Sequence, residues 1–396
     1  MNYQDRSSVR FSFAIAASLL FLVACQNDPD PTGIGLMPDG DLINALRFDS
    51  QRDSTESRDA TYFFNNHHAS ATSLSVGNAD GYASSALLRW LYFNVDSAQA
   101  YGGQIVSAQL RLRSLPYHIG DINTPIRLEL RKIRSFWNVF TIAADSVDEL
   151  RSDELIGAYD GRIGESDSII VDIDTTAVRA WMRNSIEGQY AENHGVMLDI
   201  AQQGVLRSFQ SNTLGNDSPP LLTIIMQTAN GLDTLVGEGM DNTYLVSGPK
   251  REEAGRIVLQ GGISVRGKLY FDMSRIPPAS VINHATLYLT KDPSLSTRYF
   301  RGADSVLVYE SVDSSSNLLS SSGIITRLDN AMPGVLIAEG IPLTRAVQGW
   351  VNGKGNHGLV LLPMYEVSDI DRMALYGAAA EADRRPRLVV TYTSQP

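Results

Sequence analysis

The stretch IVSAQLRL at residues 105–112 decides the fold, and it returns as INHATLYL at residues 282–289. In the first copy Leu110 and Leu112 alternate with Arg111, so that every second side chain is apolar. A period of two is typical of a β-strand that buries one face. Because the same pattern occurs twice, about 180 residues apart, a longer repeat is expected in the remaining sequence.

Five further blocks recur in the same order and at similar offsets. They are DATYF (59–63) and DNTYL (241–245), LYFN (91–94) and LYFD (269–272), VRAW (178–181) and VQGW (347–350), NHGVML (193–198) and NHGLVL (356–361), and PLLTI (220–224) and PRLVV (386–390). The ordered set predicts two copies of one structural unit.

Each unit also contains one short helical pattern. Val178, Trp181 and Met182 have the i, i+3, i+4 spacing of a helix, with Asp174 or Thr175 as its N-cap. Residues 347, 350 and 351 repeat that spacing, and there we expect Thr344 to be the cap. Short strands with one small helix per unit predict an all-β fold, made of two tandem antiparallel β-sandwiches of the jelly-roll type.

The segment at residues 1–24 has the pattern of an export signal. Arg6 and Arg10 precede the apolar run FSFAIAASLLFLV at residues 11–23, which is shorter than a membrane-spanning helix. The run ends in LVAC at residues 22–25, which resembles the lipobox of bacterial lipoproteins. That resemblance implies cleavage before Cys25, a lipid anchor on its thiol and, with Gln26 next, location in the outer membrane. Cys25 is the only cysteine of the chain.

The rest of the chain divides by composition. Residues 25–58 are rich in Asp, Pro, Gly and Ser, which predicts a flexible tether, although residues 42–48 have the composition of an edge strand. We place the first sandwich at residues 59–228 and the second at residues 229–396. The net charge of −11 disfavours nucleic acid as a partner, because phosphates need basic patches.

Four side chains are the candidates for binding a sugar ring: Trp90, Tyr117, His118 and Trp137. None of them recurs in the second copy, whereas a residue needed only for the fold would be expected to recur. The alternative for Trp90 is that it is buried, as large aromatic residues usually are. The same helical spacing that predicts the helices places Trp181 and Trp350 in the cores.

Metal binding has weaker support. Asp121 and Asp172 each begin an i, i+2 pair of oxygen ligands, and they leave a structural Ca²⁺ open as a cofactor. The equivalent His194 and His357 precede glycines, which favours a structural turn over a metal site. The chain lacks the usual motifs of nucleophilic elbows, zinc proteases and phosphate loops, so we expect no enzyme.

The ordered blocks resemble the DNRLRE family, a jelly-roll domain grouped with carbohydrate-binding modules. The matching motifs are LRWLYFN (88–94), IVSAQLRL (105–112), VRAW (178–181), NHGVML (193–198) and, in the second copy, RPRLVVTY (385–392). The resemblance covers nearly all of residues 59–396, and it implies binding of polysaccharide or surface glycan rather than chemistry.

Three functions therefore remain. The leading one is a surface lipoprotein that binds glycan without catalysis, for which we expect an exposed aromatic or basic groove. The second is a structural or adhesion protein that contacts other envelope proteins through an apolar patch or an unpaired sheet edge. The third is a glycan-active enzyme, which needs two carboxylates about 5–10 Å apart in a cleft.

Overall fold

The structure is a computed structural model that describes residues 45–394 apart from 65–67, 69–70, 214–216, 300–303 and 315–317. The chain divides at Leu46 into a short first unit, described only at its last two residues, and a second unit that starts at Arg47. The predicted signal segment, Cys25 and most of the predicted tether lie outside the described residues.

The described chain is mostly β-strand, as the two-residue periodicity predicts. The strands are β1 (Leu46–Asp49), β2 (Ser57–Phe63), β3 (Ser73–Ala79), β4 (Tyr82–Phe93), β5 (Gln104–Ile119), β6 (Ile126–Ile133), β7 (Arg151–Gly161), β8 (Ser168–Asp172), β9 (Val196–Asp199), β10 (Val205–Gln210), β11 (Leu221–Thr228), β12 (Gly231–Ser247), β13 (Arg256–Gln260), β14 (Val265–Phe271), β15 (Val281–Thr297), β16 (Val306–Ser311), β17 (Leu319–Ile325), β18 (Arg327–Leu328), β19 (Val335–Glu339), β20 (Leu359–Pro363), β21 (Arg372–Tyr376) and β22 (Arg387–Thr393). The short helices are α1 (Ser97–Gly102), α2 (Val147–Leu150), α3 (Thr175–Ile186) and α4 (Ile341–Val351), with 3₁₀ turns at Ala144–Ser146 and Tyr190–Glu192.

Antiparallel ladders join these strands into two sandwiches, which confirms the predicted fold class. One set of strands runs in the order β12-β11-β5-β10-β3-β4-β9-β6-β7, with β8 beside β5, and forms the first sandwich. The other set runs β1-β22-β15-β21-β13-β14-β20-β16-β17, with β2 beside β14 and β19 beside β15, and forms the second. Long strands link the layers: the start of β5 pairs with β11, and its end pairs with β10.

The strand pairing differs from the sequence-based division at residues 59–228 and 229–396 in two places. β2, which precedes the first sandwich in the chain, pairs with β14 of the second, and β1 pairs with β22. β12, which begins the second copy, pairs with β11 and β4 of the first sandwich. The repeated blocks DATYF and DNTYL thus occupy equivalent positions, each in the sandwich of the other copy.

Both helices that the spacing predicts are present. Asp174 caps α3 by accepting hydrogen bonds from the backbone of Thr176 and Ala177, at 2.7 and 3.1 Å. Thr344 is not a cap, because α4 begins at Ile341 with Pro342 in its first turn and Gly340 before it. Trp181 and Trp350 are buried, as predicted.

The edge strand expected at residues 42–48 is confirmed for its described end, since β1 includes Leu46–Asp49. Phe48 is buried in the core of the second sandwich with Leu388 and Val390 of β22. The apolar side chain of this segment therefore belongs to a core rather than to a solvated tether.

Candidate functional site

Two of the predicted sugar-binding residues are buried tryptophans. Trp90 and Trp137 are each 1 % exposed. Trp90 packs in the core near Trp181, with ring centroids 6.1 Å apart. Trp137 lies in a second apolar layer with Leu87 and Leu245 on β4 and β12, and its Nε1 donates to the carbonyl oxygen of His194 at 2.8 Å. Since neither ring faces solvent, the expectation that these two stack on a sugar is corrected.

The other two predicted residues lie close together on β5, but they do not form an aromatic surface. Tyr117 is 8 % exposed, and its hydroxyl donates to Asp371 Oδ1 at 3.1 Å and accepts from the Ile370 amide at 3.0 Å. The ring of His118 is half-buried, with Nδ1 2.8 Å from the carbonyl oxygen of Pro116. Tyr117 thus joins the two sandwiches, which explains why it has no counterpart in the second copy.

The histidine turns are structural, as their glycines predict. Asn193 and Asn356 each donate a side-chain hydrogen bond to a backbone carbonyl of the neighbouring strand, and each accepts from the glycine two residues later. Gly195 and Gly358 have φ angles of 75° and 81°. These equivalent turns fix the starts of β9 and β20.

The described residues contain no group of three or more His, Cys, Asp or Glu that could hold a metal ion. Asp121 accepts a 2.9 Å hydrogen bond from the Asn123 amide, and Asp172 accepts one of 2.9 Å from Gln109 Nε2. These contacts are those of a local turn and a strand pair, so the geometry offers no support for Ca²⁺ at either residue.

Exposed aromatic side chains gather instead around the C-terminal end of α3. Tyr92 on β4 is 49 % exposed and meets Tyr190 edge to face, with ring centroids 5.2 Å apart. Tyr101 of α1 is equally exposed and donates its hydroxyl to Glu187, just after α3. We call Tyr92, Tyr101 and Tyr190 the tyrosine patch. It offers rigid aromatic faces to solvent with hydrogen-bonding groups beside them.

The second sandwich has a half-buried tyrosine in the same sequence block, at a different distance along the strand from its Asn-His-Gly turn. Tyr270 on β14 corresponds to Tyr92 in the repeated Leu-Tyr-Phe block, and Arg58 Cζ lies 4.4 Å from its ring centroid. It lines a groove of about 270 Å³. The groove, which we call the Tyr270 groove, is lined by Arg58, Asp59, Ala60, Lys268, Leu269, Tyr270, Ser314, Asn356 and His357.

Sequence reasoning missed both tyrosines, although a signal was present. The alternation in LYFN and LYFD directs the tyrosine away from the face that Phe93 and Phe271 bury. An outward aromatic residue that recurs in both copies is the pattern of a repeated surface site. This tyrosine was not among the candidates, because a binding residue was expected to have no counterpart in the other copy.

A second polar region lies between the sandwiches and depends on the loop at residues 364–371. Ile370 of this loop enters the core of the first sandwich, and Ser73 Oγ donates to the carbonyl oxygen of Ser368 at 2.5 Å. Beside it lies a cleft of about 350 Å³, where the Tyr299 hydroxyl donates to Asp80 Oδ2 at 2.6 Å. The loop thus crosses from one sandwich to the other.

This loop contains two carboxyl groups with raised pKa values. Burial, together with the negative charge of Asp371, raises the pKa of Asp369 to about 8. Burial also raises the pKa of Asp371, although hydrogen bonds from the Tyr299 amide and the Tyr117 hydroxyl oppose that change. Because Asp369 is only 9 % exposed and Asp371 already accepts two protein donors, the pair favours packing between the sandwiches over acid–base chemistry.

No protein-family model matches the chain, and no curated protein matches it. Among solved structures, the C-terminal domain of the Streptococcus pyogenes antigen I/II-family protein AspA aligns at 9 % identity and a TM-score of 0.13, over 86 % of this chain and 92 % of that one. A structure of infectious bursal disease virus Gx strain aligns at 11 % identity and a TM-score of 0.10, over 90 % and 78 %. Likenesses this low carry no argument about fold or function.

Proposed function

We propose that the chain is a surface lipoprotein of the outer membrane that binds polysaccharide without catalysis, through the tyrosine patch and the Tyr270 groove. The observation that carries the proposal is the Leu-Tyr-Phe block of each copy, in which the phenylalanine is buried and the tyrosine faces away from the core. Tyr92 is 49 % exposed in the tyrosine patch, and Tyr270 is half-buried in the groove beside Asn356 and His357. Aromatic faces pack against the C–H groups of sugar rings at little entropic cost.

The chemistry around the two tyrosines favours a polymer with acidic groups at the second site. Arg58 and Lys268 border the Tyr270 groove, and both can donate charge-assisted hydrogen bonds to a carboxylate or sulfate. In the tyrosine patch, Tyr101 lies beside both the positive charge of Arg183 and the negative charge of Glu187. Such a surface can bind the neutral hydroxyl groups of a sugar. Two sites on one polymer would reinforce each other through their effective concentration.

The anchor in this proposal is the lipid on Cys25, which the LVAC segment favours. In the described part of the chain, no helix has the length and apolar character needed to cross a membrane. A Cys25→Ala variant is expected to move from the membrane fraction to the soluble fraction of cells. Retention of that variant in washed outer membranes would count against the lipid anchor.

The binding test uses soluble protein from residue 26 onward on a glycan array and in affinity gels that include uronic-acid polymers, with and without Ca²⁺. We expect Tyr92→Ala and Tyr270→Ala each to weaken binding by about tenfold, which corresponds to ~1.4 kcal/mol. Phe140→Ala is the matched control, because Phe140 is 70 % exposed and is outside both sites. Equal losses in all three variants, or no retention on any glycan, would contradict the proposal.

One observation favours the structural role as the second candidate. β17 ends the strand order of the second sandwich; Leu318, just before it, and Ile325, its last residue, are 57 % and 55 % exposed. An edge with exposed apolar side chains can pair with another protein. Ile325→Lys is expected to reduce co-purification of a partner from envelope extracts and to leave glycan binding unchanged.

A further inference from the structure

The N-terminal strands of the chain complete the sandwich at its C-terminal end. Arg387 on β22 donates to both carboxylate oxygens of Asp49, at 3.0 and 2.5 Å, across 338 residues of sequence. The Ser50 amide donates to the carbonyl oxygen of Leu388 at 3.0 Å, and the Leu388 amide donates to the Ser50 hydroxyl at 2.9 Å. The edge of β22 is therefore occupied by a segment from the opposite end of the chain.

The edge of β14 receives the second of these strands. All seven residues of β2 face β14 in antiparallel register, from Ser57 opposite Phe271 to Phe63 opposite Val265. Two side chains add sequence-specific contacts, since Asp59 Oδ1 accepts from the Ala378 amide at 2.6 Å and Thr61 Oγ1 accepts from the Val258 amide at 3.0 Å. The second sandwich thus offers an acceptor surface for this particular extended segment.

The first sandwich closes in a different way. Its closing strand β12 follows β11 in a hairpin that is paired from Thr228 and Gly231 outward, so this closure is local in sequence. By contrast, residues 64–72 separate β2 from β3, and His68 and Ala71 among them are buried against the first sandwich. The part that can extend is residues 64–67, which can span about 13 Å. β1 and β2 can therefore leave the second sandwich while the first sandwich keeps all of its strands.

We propose that the free edges of β14 and β22 form a strand-acceptor site, which residues 46–63 fill either in their own chain or in a second copy of the protein. The contacts of β1 and β2 are the same in both cases, and only the connection through residues 64–67 differs, so exchange costs little beyond association. A chain that donates its strands to one neighbour can accept those of another. Exchange then produces closed dimers or open rows of copies.

The test uses pairs of cysteine variants in the soluble chain from residue 26, which lacks the native cysteine. Ala60 and Lys268 face each other in register, and both line the Tyr270 groove. A60C and K268C chains are mixed, unfolded in guanidinium, refolded together and oxidised. We expect a disulfide between residue 60 of one chain and residue 268 of another, mapped by mass spectrometry. While dimers are sparse, a tenfold rise in concentration should raise their ratio to free chains by about tenfold.

The matched control is the equivalent closure of the first sandwich. Ser247 on β12 faces Ala83 on β4, and both are exposed. Mixed S247C and A83C chains are expected to give no interchain disulfide between those positions. Cross-linking at both pairs to the same extent, or at neither pair, would overturn the proposal. Cysteine-free chains refolded at high concentration give an independent readout, because light scattering should show a dimer that persists after dilution.

Discussion

The two sandwiches are built from copies of the same unit, yet they are closed by segments from opposite directions along the chain. In the first sandwich, β12 extends directly from β11 and then pairs with β4. In the second, the same two positions are filled by β1 and β2, which lie at the opposite end of the described sequence from β22. Similar strand arrangements thus arise from one local closure and one distant closure.

This difference has consequences for folding and stability. A local hairpin forms early, because little loop entropy is lost when its strands meet. The distant closure requires both ends of the unit to be present. We therefore expect the second sandwich to depend on residues that a simple division of the repeat would assign to the first.

A second difference lies at one strand position. Leu88 pairs with the residue after Gly195 and Leu269 with the residue after Gly358, so Arg266 of β14 corresponds to Ser85 of β4. The guanidinium of Arg266 donates to both oxygens of Glu366 at 2.6 and 2.8 Å. Glu366 belongs to the loop at residues 364–371, which has eight residues, whereas the loop at residues 200–204 of the first sandwich has five. The three added residues accommodate both the buried ion pair and the contact with the first sandwich.

The largest expected effect comes from removing the distant closure. Deletion of residues 26–63 should destabilise the second sandwich by on the order of 5 kcal/mol or more, because it exposes the edges of β14 and β22 and empties the site of Phe48. Hydrogen exchange read by mass spectrometry should show faster exchange in both strands. Deletion of residues 26–45 is the control. Unchanged protection of β14 in the longer deletion would show that the closure is dispensable.

The next effect concerns the ion pair that only the second sandwich contains. Glu366→Ala should cost about 3–5 kcal/mol, because it leaves the buried charge of Arg266 without its carboxylate. The double variant Arg266→Leu with Glu366→Leu, which replaces the ion pair by apolar side chains, should recover most of that loss. Urea unfolding measures both. A double variant as unstable as the single one would mean that the ion pair has a role beyond charge compensation.

The third effect is a dependence of stability on pH. It distinguishes the contact that the loop at residues 364–371 makes between the sandwiches from the closure by β1 and β2. The pKa of Asp369 is raised from 3.8 to about 8, so its contribution to stability is fully present below about pH 4 and is lost as the pH rises towards 8. Asp369→Asn should therefore stabilise the protein near pH 7.5 by on the order of 2 kcal/mol and flatten the dependence of stability on pH between 5 and 8.

Asp49 should change the stability of the protein in the opposite direction when unfolding is measured as a function of pH. Although its burial opposes the change, the hydrogen bond and charge of Arg387 hold the pKa of Asp49 below its usual value. Its contribution is present above the usual pKa of 3.8 and is lost as the pH falls through the lowered value. Acid should therefore weaken the pairing of β1 with β22. The Asp369→Asn variant should lose the same stability at low pH as the parent protein. If the free energy of unfolding of the parent protein does not change from pH 5 to 8, the assignment of this pH dependence to Asp369 is wrong.

The smallest effects should be equal in the two sandwiches. Gly195→Ala and Gly358→Ala should each cost about 1–3 kcal/mol, since both positions have positive φ and an added Cβ would meet the carbonyl oxygen of Leu88 or Leu269. His194→Ala and His357→Ala should stay within about 0.5 kcal/mol. Thermal unfolding tests all four variants. A cost that differs strongly between the two glycines would show that the turns are not equivalent.

Much of the fold could be predicted because local patterns determine it. Alternation in IVSAQLRL and helical spacing around Trp181 identify strands and a helix, since each reflects one buried face. The exchange of closing strands could not be predicted in this way, because DATYF and DNTYL are equally suited to either sandwich. Only the added loop left a trace in the sequence, because the interval from the NHG block to the last strand is longer in the second copy than in the first.

The candidate site was harder to predict, because burial depends on distant parts of the chain. Trp137 lies beyond β6 in the sequence, and only the folded chain shows that it packs over β4 and β12. Tyr117 lacks a counterpart because it meets Asp371 of the added loop. For Tyr117, the absence of a repeat partner therefore marks a contact between the sandwiches rather than a surface for ligands.

The closure by β1 and β2 also bears on how such a gene could be rearranged. Because β1 and β22 are neighbours in one sheet, the beginning and the end of the folded unit lie in the same sandwich. If these ends were joined and the chain were opened between β12 and β13, at residues 248–255, the new order would be β13 to β22, β1, β2 and then β3 to β12. Each sandwich would then be encoded by one uninterrupted segment. In genetic terms, the natural chain is a circular permutation of a plain tandem pair.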